Sequence, residues 1–278
     1  KLAFAAADGS KLVFVKMGDS KESAAEVTLT DGALDVPAMS GDVYVDGQKA
    51  DKPGISYEDH VSIEVRGDVC PYVSRGGLKL EKAIKSFKAD VTGKVCMDIG
   101  AATGGFTDVL LRHGAQHVYA IDVGYGQLDW KLRNDERVTV MERTNARTLT
   151  EEMFPAKPNL TVMDVSFISI RLILPVAAQI MGENGRFLTL VKPQFEAGKG
   201  QVGKNGVVRE KETHERVLRE ICLFAPSFGW HVQQLTYSPI KGPAGNIEFL
   251  ADIRPGEGDM LTDDYIKELV QRAHTELK

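Results

Sequence analysis

The stretch Val95–Asp122, VCMDIGAATGGFTDVLLRHGAQHVYAID, narrows what this chain can fold into more than any other. A short apolar run, Val95-Cys96-Met97, is closed by Asp98. The glycine-rich turn Gly100-Ala101-Ala102-Thr103-Gly104-Gly105 follows. Phe106, Val109, Leu110 and Leu111 then recur at helical spacing. A second apolar run, Val118-Tyr119-Ala120-Ile121, is closed by Asp122. Strand, glycine turn, helix, strand and acid make one βαβ unit, with a nucleotide-type pocket at its carboxyl edge. Glycines let a ligand approach the backbone closely, and a carboxylate at the second strand's end can accept hydrogen bonds from a ribose diol. By itself the pattern admits a dinucleotide, S-adenosylmethionine, or a turn that serves only the fold. The spacing favours S-adenosylmethionine. A dinucleotide fingerprint puts its first glycine directly after the strand to seat a pyrophosphate. Here the acid Asp98 ends the strand. It would repel a pyrophosphate but suits the amino group of a methionine moiety.

The chain has 278 residues, room for one large domain and a small one. Its 43% hydrophobic and 26% charged residues are an ordinary globular balance. No apolar run approaches the roughly 20 residues that span a bilayer. The first seven residues, Lys1 to Ala7, resemble the end of a signal peptide but lack a long apolar region, so a soluble, cytoplasmic protein is expected. Cys70, Cys96 and Cys222 are odd in number and widely spaced, giving neither a zinc spacing nor a disulfide framework. The net charge of −5 argues against a uniformly basic nucleic-acid binder and leaves a local basic face open. Two stretches are candidates for one. Arg75, Lys79, Lys82, Lys85 and Lys88 surround the single acid Glu81. Arg186, Lys192, Lys199, Lys204 and Arg209 form a looser run.

Along the chain, Lys11–Val15 and Glu26–Thr30 alternate like short strands, with a turn signal at Asp31-Gly32. Val43-Tyr44-Val45, the turn Asp46-Gly47, a second turn Lys52-Pro53-Gly54 and the strand Val61–Val65 make a clearer small unit. Leu78, Leu80, Ala83, Ile84 and Phe87 predict an amphipathic helix with Lys79 beside its apolar stripe. Beyond Asp122 the pattern predicts a short helix over Tyr125–Arg133 and a strand over Val138–Met141. Asn145 follows, near where an adenine ring lies in a doubly wound sheet. Strands Asn159–Met163 and Phe187–Val191 end at Asp164 and Lys192. Helices are predicted over Ile170–Met181, Glu210–Phe228 and Leu261–Leu277. Strands are predicted over Trp230–Leu235 and Asn246–Ala251, the latter containing Glu248. Strands alternating with helices predict an α/β parallel sheet, closed at one edge by an antiparallel hairpin.

Four polar residues fall at special places: Lys79 on the helix before the first strand of this sheet, Asp164 and Lys192 at strand ends, and Glu248 after a glycine-bearing loop. Ligands bind off the carboxyl ends of such strands, so Asp164 and Lys192 project toward the pocket of Asp98 and Asp122. Moving a methyl group from a sulfonium to an alcohol requires loss of the alcohol proton. A lysine can take that proton or hold the oxygen electrostatically; burial favours the first role and flanking carboxylates the second. Lys192 is open to either. The sulfonium is itself the electrophile, so no metal is expected.

Six motifs carry a specific resemblance: Ser74–Leu80 (SRGGLKL), Asp98–Thr107 (DIGAATGGFT), Asp164–Ser169 (DVSFIS), Leu190–Glu196 (LVKPQFE), Gly203–Arg209 (GKNGVVR) and Gly245–Phe249 (GNIEF). Together they resemble the TlyA family. These are S4-plus-methyltransferase proteins within the FtsJ-like ribose 2′-O-methyltransferases, historically called haemolysins. The resemblance implies a Rossmann-like S-adenosylmethionine-dependent methyltransferase over residues 91–278. It implies a linker and leading helix over 68–90 and a small S4-like α+β RNA-binding unit over 1–67. The two basic helices that open an S4 unit are not recognisable in residues 1–40. Lys79, Asp164, Lys192 and Glu248 match the family's Lys-Asp-Lys-Glu tetrad. Asp98, Gly100, Ala101, Thr103, Gly104, Gly105, Phe106, Asp122, Val123, Asn145 and Asp164 fall at its cofactor site. Arg75, Lys82, Lys199, Lys204 and Arg209 are the candidate RNA contacts. The implied substrate is ribosomal RNA, free or in a subunit, methylated at a cytidine ribose. Two other readings remain: an RNA-binding protein without turnover, and a membrane-active haemolysin, for which no strong amphipathic or spanning segment is present. Ser166-Phe167 lacks the proline pair of amino-group methyltransferases, which speaks against base N-methylation.

Overall fold

The computed structural model describes residues 11–15, 24–28, 42–49, 63–66, 70–198 and 200–277. The turns expected at Asp31-Gly32 and Lys52-Pro53-Gly54, and the side chains of Lys199 and Lys204, lie outside the described residues. The chain divides into two compact units, Lys1–Arg75 and Gly76–Lys278. In the first, β1 (Lys11–Val15) pairs antiparallel with β2 (Ala24–Thr28). β3 (Asp42–Val45) pairs antiparallel with both β4 (Gln48–Lys49) and β5 (Ile63–Arg66). Asp46 and Gly47 join β3 to β4 with φ of 48° and 76°, a tight hairpin turn that Asp-Gly pairs favour.

The second unit is a seven-stranded sheet. Its strands are β6 (Val95–Ile99), β7 (His117–Ile121), β8 (Val138–Met141), β9 (Leu160–Met163), β10 (Phe187–Val191), β11 (Trp230–Tyr237) and β12 (Phe249–Pro255). They lie in the order β11-β12-β10-β9-β6-β7-β8. The pairs β10–β9, β9–β6, β6–β7 and β7–β8 are parallel, whereas β12 is antiparallel to both β10 and β11. The expected hairpin therefore closes one edge. Strand order reverses between β6 and β9, and a crevice opens at their carboxyl ends. Parallel strands covered on both faces read as continuous apolar runs. Accordingly β9 and β10 are buried at every residue, and Met97, Ile99, Ile121, Leu160, Met163, Phe187 and Phe249 are fully buried.

The helices are α1 (Gly77–Ser86), α2 (Gly105–Arg112), α3 (Trp130–Arg133), α4 (Leu174–Met181), α5 (Pro193–Glu196), α6 (Lys211–Phe224) and α7 (Asp263–Glu276). Three expectations change here, each for a local reason. The helix expected over Tyr125–Arg133 shortens to α3, because Gly126 at φ 70° breaks the turn and Asp129 caps only from Trp130, accepting the N–H of Lys131. The helix expected over Ile170–Met181 splits into a 3-10 turn at Ile170–Leu172 and then α4, with Pro175 in its first turn. The proline ring cannot lie against the carbonyl four residues back, which excludes a continuous helix. Pro226 acts likewise, so α6 stops at Phe224 and a 3-10 turn covers Ala225–Phe228.

Candidate active site

Two residues sit differently from their sequence placement. Asp98 lies inside β6 rather than closing it, since Ile99 continues the strand. Glu248 lies immediately before β12 rather than within it. Ala244 and Gly245, at φ 57° and 88°, keep the preceding segment out of the ladder. Asp164 follows β9 and Lys192 follows β10, as expected.

Lys79 reaches this edge from the first turn of α1. A cation near a helix N-terminus is disfavoured by the macrodipole, and two carboxylates offset that. Lys79 Nζ donates to Glu248 Oε2 at 2.7 Å and to Asp164 Oδ2 at 3.3 Å. Lys192 Nζ lies 2.6 Å from Asp164 Oδ1 and donates to Ser166 Oγ at 3.0 Å. Gln194 Nε2 donates to Glu248 Oε1 at 3.1 Å. The result is one alternating string: Gln194, Glu248, Lys79, Asp164, Lys192, Ser166. Its charged members are nearly dry: Glu248 has no exposed side-chain surface, the two lysine side chains are 8% exposed, and Asp164 is the most open of the four at 19%. Ser166, at the end of the string, is exposed. Burial alone would lower the Lys79 pKa, but Asp164 and Glu248 outweigh it and hold the ammonium above its usual value. Lys79 is therefore a fixed cation. Gly242 makes room for the far end of the string, because a Cβ there would meet Glu248 Cδ at 2.6 Å.

The glycine turn lies beside this string. Gly100 and Ala101 both donate to the carbonyl of Ile121, at 2.8 and 3.1 Å. A Cβ on Gly100 would sit 2.7 Å from the carbonyl oxygen of Asp164, and the residue has φ 85°. Only glycine allows that approach. The exposed Ala102 also takes a positive φ of 47°. Asp122 holds the turn through Oδ2, which accepts from Ala102 N at 2.8 Å, and through Oδ1, which accepts from Gly124 N at 2.7 Å. A carboxylate offers about four acceptor sites, so Asp122 retains capacity for a diol. Asn145 caps the 3-10 turn Ala146–Thr148 by accepting from Arg147 N at 3.1 Å. Thr103 is exposed, Val123 is 72% exposed, and Gly104, Gly105 and Phe106 are buried beneath the turn.

Asp98 differs from every other acid here. It is fully buried, and its Oδ2 accepts from Thr107 Oγ1 at 2.7 Å. Its Oδ1 has no hydrogen-bond partner among the described residues. Burial pushes its pKa up to about 7, the Thr107 hydrogen bonds pull it down in part, and the charges of Asp164 and Asp122 add to the rise. A buried acceptor without a donor is costly, and an ammonium group would relieve it. The residues thus fit the methionine end of S-adenosylmethionine at Asp98 and its ribose at Asp122.

Of the candidate RNA contacts, Arg75 and Arg209 are exposed. Lys82 is half-buried, with its ammonium 3.6 Å from the ring centre of Tyr237. Of the looser basic run, Arg186 donates to both oxygens of Asp252 at 2.8 Å and Lys192 belongs to the string. Ser166 and Gln194 lie in the motifs quoted above, but the sequence assigns neither a place in the site, and Ser166-Phe167 speaks there only against base N-methylation. Phe167 is 93% exposed, at φ 64°, with its ring 5.1 Å from that of Phe195. Among the described residues no helix is long and apolar enough to cross a membrane.

Residues 72–253 match the FtsJ-like methyltransferase family. The Bacillus subtilis protein YqxC is 48% identical over 245 residues, covering 86% of this chain and 87% of that protein. The 16S/23S rRNA (cytidine-2′-O)-methyltransferase TlyA of Mycobacterium tuberculosis is 44% identical over 238 residues, covering 85% and 89%. A solved structure from Streptococcus thermophilus, described as a hemolysin, superposes with a TM-score of 0.75 at 47% identity, covering 86% of this chain and 88% of that one. The acceptor-side string, the glycine turn and these likenesses lead to one statement: the chain belongs to the TlyA family of FtsJ-like, S-adenosylmethionine-dependent methyltransferases.

Proposed function

We propose that this protein methylates the ribose 2′-hydroxyl of a cytidine in ribosomal RNA, using Lys79, Asp164, Lys192 and Glu248. The alternating string beside the glycine turn is the observation that carries this reading, because it places a directed lysine next to the donor pocket. S-adenosylmethionine, when bound, supplies an electrophilic methyl group on a sulfonium. Asp98 receives its amino group, Asp122 its ribose, and the exposed Val123 offers an apolar face to its adenine.

Lys192 is the group that meets the acceptor. An ammonium has three donors; Asp164 and Ser166 take two, which leaves one direction for the 2′-oxygen. Lys192, in its neutral form, would take the hydroxyl proton as the 2′-oxygen accepts the methyl group and the donor leaves as the neutral thioether. Asp164, 2.6 Å away, stabilises the ammonium so formed. Lys79 stays cationic and holds Asp164 and Glu248 in line. Phe167 presents an aromatic face on which an unstacked base can lie, as single-stranded RNA recognition requires. The N-terminal unit acts as an S4-like RNA contact, and the protein works on ribosomal subunits in the cytoplasm.

Incubation with labelled S-adenosylmethionine and intact ribosomal subunits, followed by mapping of 2′-O-methyl sites, tests the reading. Label at a cytidine ribose is expected, and no incorporation into either subunit overturns it. Lys192→Arg separates the two roles of Lys192: a guanidinium keeps the charge but cannot take a proton, so loss of kcat marks a base and retained kcat an electrostatic clamp.

A further inference from the structure

Glu196 takes no part in the alternating string, yet it is a buried acid beside it. Its side chain is 1% exposed. Oε2 accepts from Ser169 Oγ at 2.6 Å, and Oε1 accepts the backbone N–H of Ile170 at 2.8 Å. Arg171 Nε lies 3.5 Å from Oε2, an ion pair too long for a strong hydrogen bond. At its other end, the Glu196 backbone N–H donates to the carbonyl of Lys192 at 3.2 Å, alongside that of Phe195 at 2.9 Å. One residue thus joins the backbone of Lys192 to the far side of the loop that starts at Asp164 and carries Ser166. The joint is braced from outside. Arg171 pairs with Glu220 at 2.8 Å, Glu220 with Arg216 at 2.6 Å, and Arg216 Nη2 donates to the carbonyl of Ala197 at 3.1 Å. The ring closes on the residue next to Glu196. α5 has only four residues, too few to hold its own position. Both segments that present the reacting side chains are short and irregular, and this carboxylate adds a buried tie to the contacts of Lys192 with Asp164 and Ser166.

We infer that Glu196 is a positioning residue for methyl transfer, setting the separation of Lys192 from Asp164 by stapling the two strand-end loops together. The inference rests on the proposed roles of Lys192 and Asp164. The carboxylate accepts from both partners, one on each oxygen. An amide keeps one such acceptor and meets Ser169 only by reversing that hydrogen bond, so that the hydroxyl accepts.

The test uses the full chain with Glu196→Gln and Ser169→Ala. Misplacement of reacting groups by about 1 Å costs on the order of 100-fold. Accordingly kcat should fall about 10- to 100-fold in Glu196→Gln and less in Ser169→Ala, with KM for S-adenosylmethionine within about threefold of wild type. In a Lys192→Ala background, Glu196→Gln should add no further loss, since there is no lysine left to position. A crystal structure of Glu196→Gln reads the spacing without any turnover. Separation of the Lys192–Asp164 pair from 2.6 Å to beyond hydrogen-bond range supports the inference. Wild-type kcat in Glu196→Gln, an unchanged spacing, or equal losses of kcat and donor binding overturns it. Absence of RNA methylation by the wild-type chain would instead sink the proposed function, and the spacing would still decide the role of Glu196.

Discussion

Two buried acids, Glu248 and Asp98, sit at the same edge of the sheet in opposite conditions. Glu248 is saturated: Lys79 holds one oxygen and Gln194 the other. Asp98 is half-satisfied, with Thr107 on one oxygen and nothing on the other. The first belongs to a charge system complete within the chain, which is how buried ions are tolerated. The second keeps one oxygen unserved among the described residues. On the proposed roles, the acceptor side is preorganised before substrate arrives, whereas the donor side holds a demand that donor binding would relieve.

Four measurements break or sharpen this contrast. The largest effect belongs to Lys192→Ala, for which kcat should fall roughly 100- to 10,000-fold while donor affinity, read by calorimetry, stays near wild type. Lys79→Ala comes next. It strips the cation from the buried Glu248 and one of two from the half-buried Asp164, and unfolding in denaturant should show a loss of about 3 kcal/mol together with loss of transfer. If stability holds, the string is not the closed system described.

The third concerns Asp98 and pH. A carboxyl raised in the fold to about 7 favours the folded state at low pH, and that contribution disappears as pH rises from about 4 through 7. Without donor, wild-type stability should decline over this window by on the order of 4 kcal/mol. Asp98→Asn should flatten the decline and bind donor about 10- to 100-fold more weakly, as expected for losing a charged hydrogen bond. Saturating donor should restore wild-type stability at pH 8. Normal donor affinity in Asp98→Asn would misplace the methionine site. His214 provides a control of opposite sign. Burial lowers its pKa to about 4, with His274 nearby adding to the fall, so its contribution is lost as pH drops below about 6.5. The smallest effect is that of Gly242→Ala. Crowding the Glu248 carboxyl should cost about 1–3 kcal/mol and lower kcat with little change in donor affinity.

Much of the sheet was legible because central strands bury both faces and read as apolar runs, as β10 did to the residue; β8, a half-buried edge strand, matched its expected span as well. Helix limits were less legible, because Pro175 and Pro226 act through carbonyls four residues away while the apolar periodicity runs on. Asp164 and Lys192 announced themselves as polar residues at strand ends. Lys79 did not. On its helix it is one lysine among several, marked by its place before the first strand of the sheet, and its role in a tetrad came from the resemblance. Ser166, Gln194 and Glu196 matter through bonds between separate loops, and local pattern carries no trace of such bonds. Asp98 was read as a strand terminus, but its consequence, a carboxyl with one oxygen unserved, follows from how β6, β9 and α2 close around it.

Gly100 has a consequence beyond the turn it opens. Because it has no side chain, the donor loop rests directly on the main-chain oxygen of Asp164. On the proposed roles, the gap between the two substrates would thus be gauged by polypeptide against polypeptide, like a machine's fixed jaw, and a change of side chain at the rim would leave the stroke of the methyl group as it is.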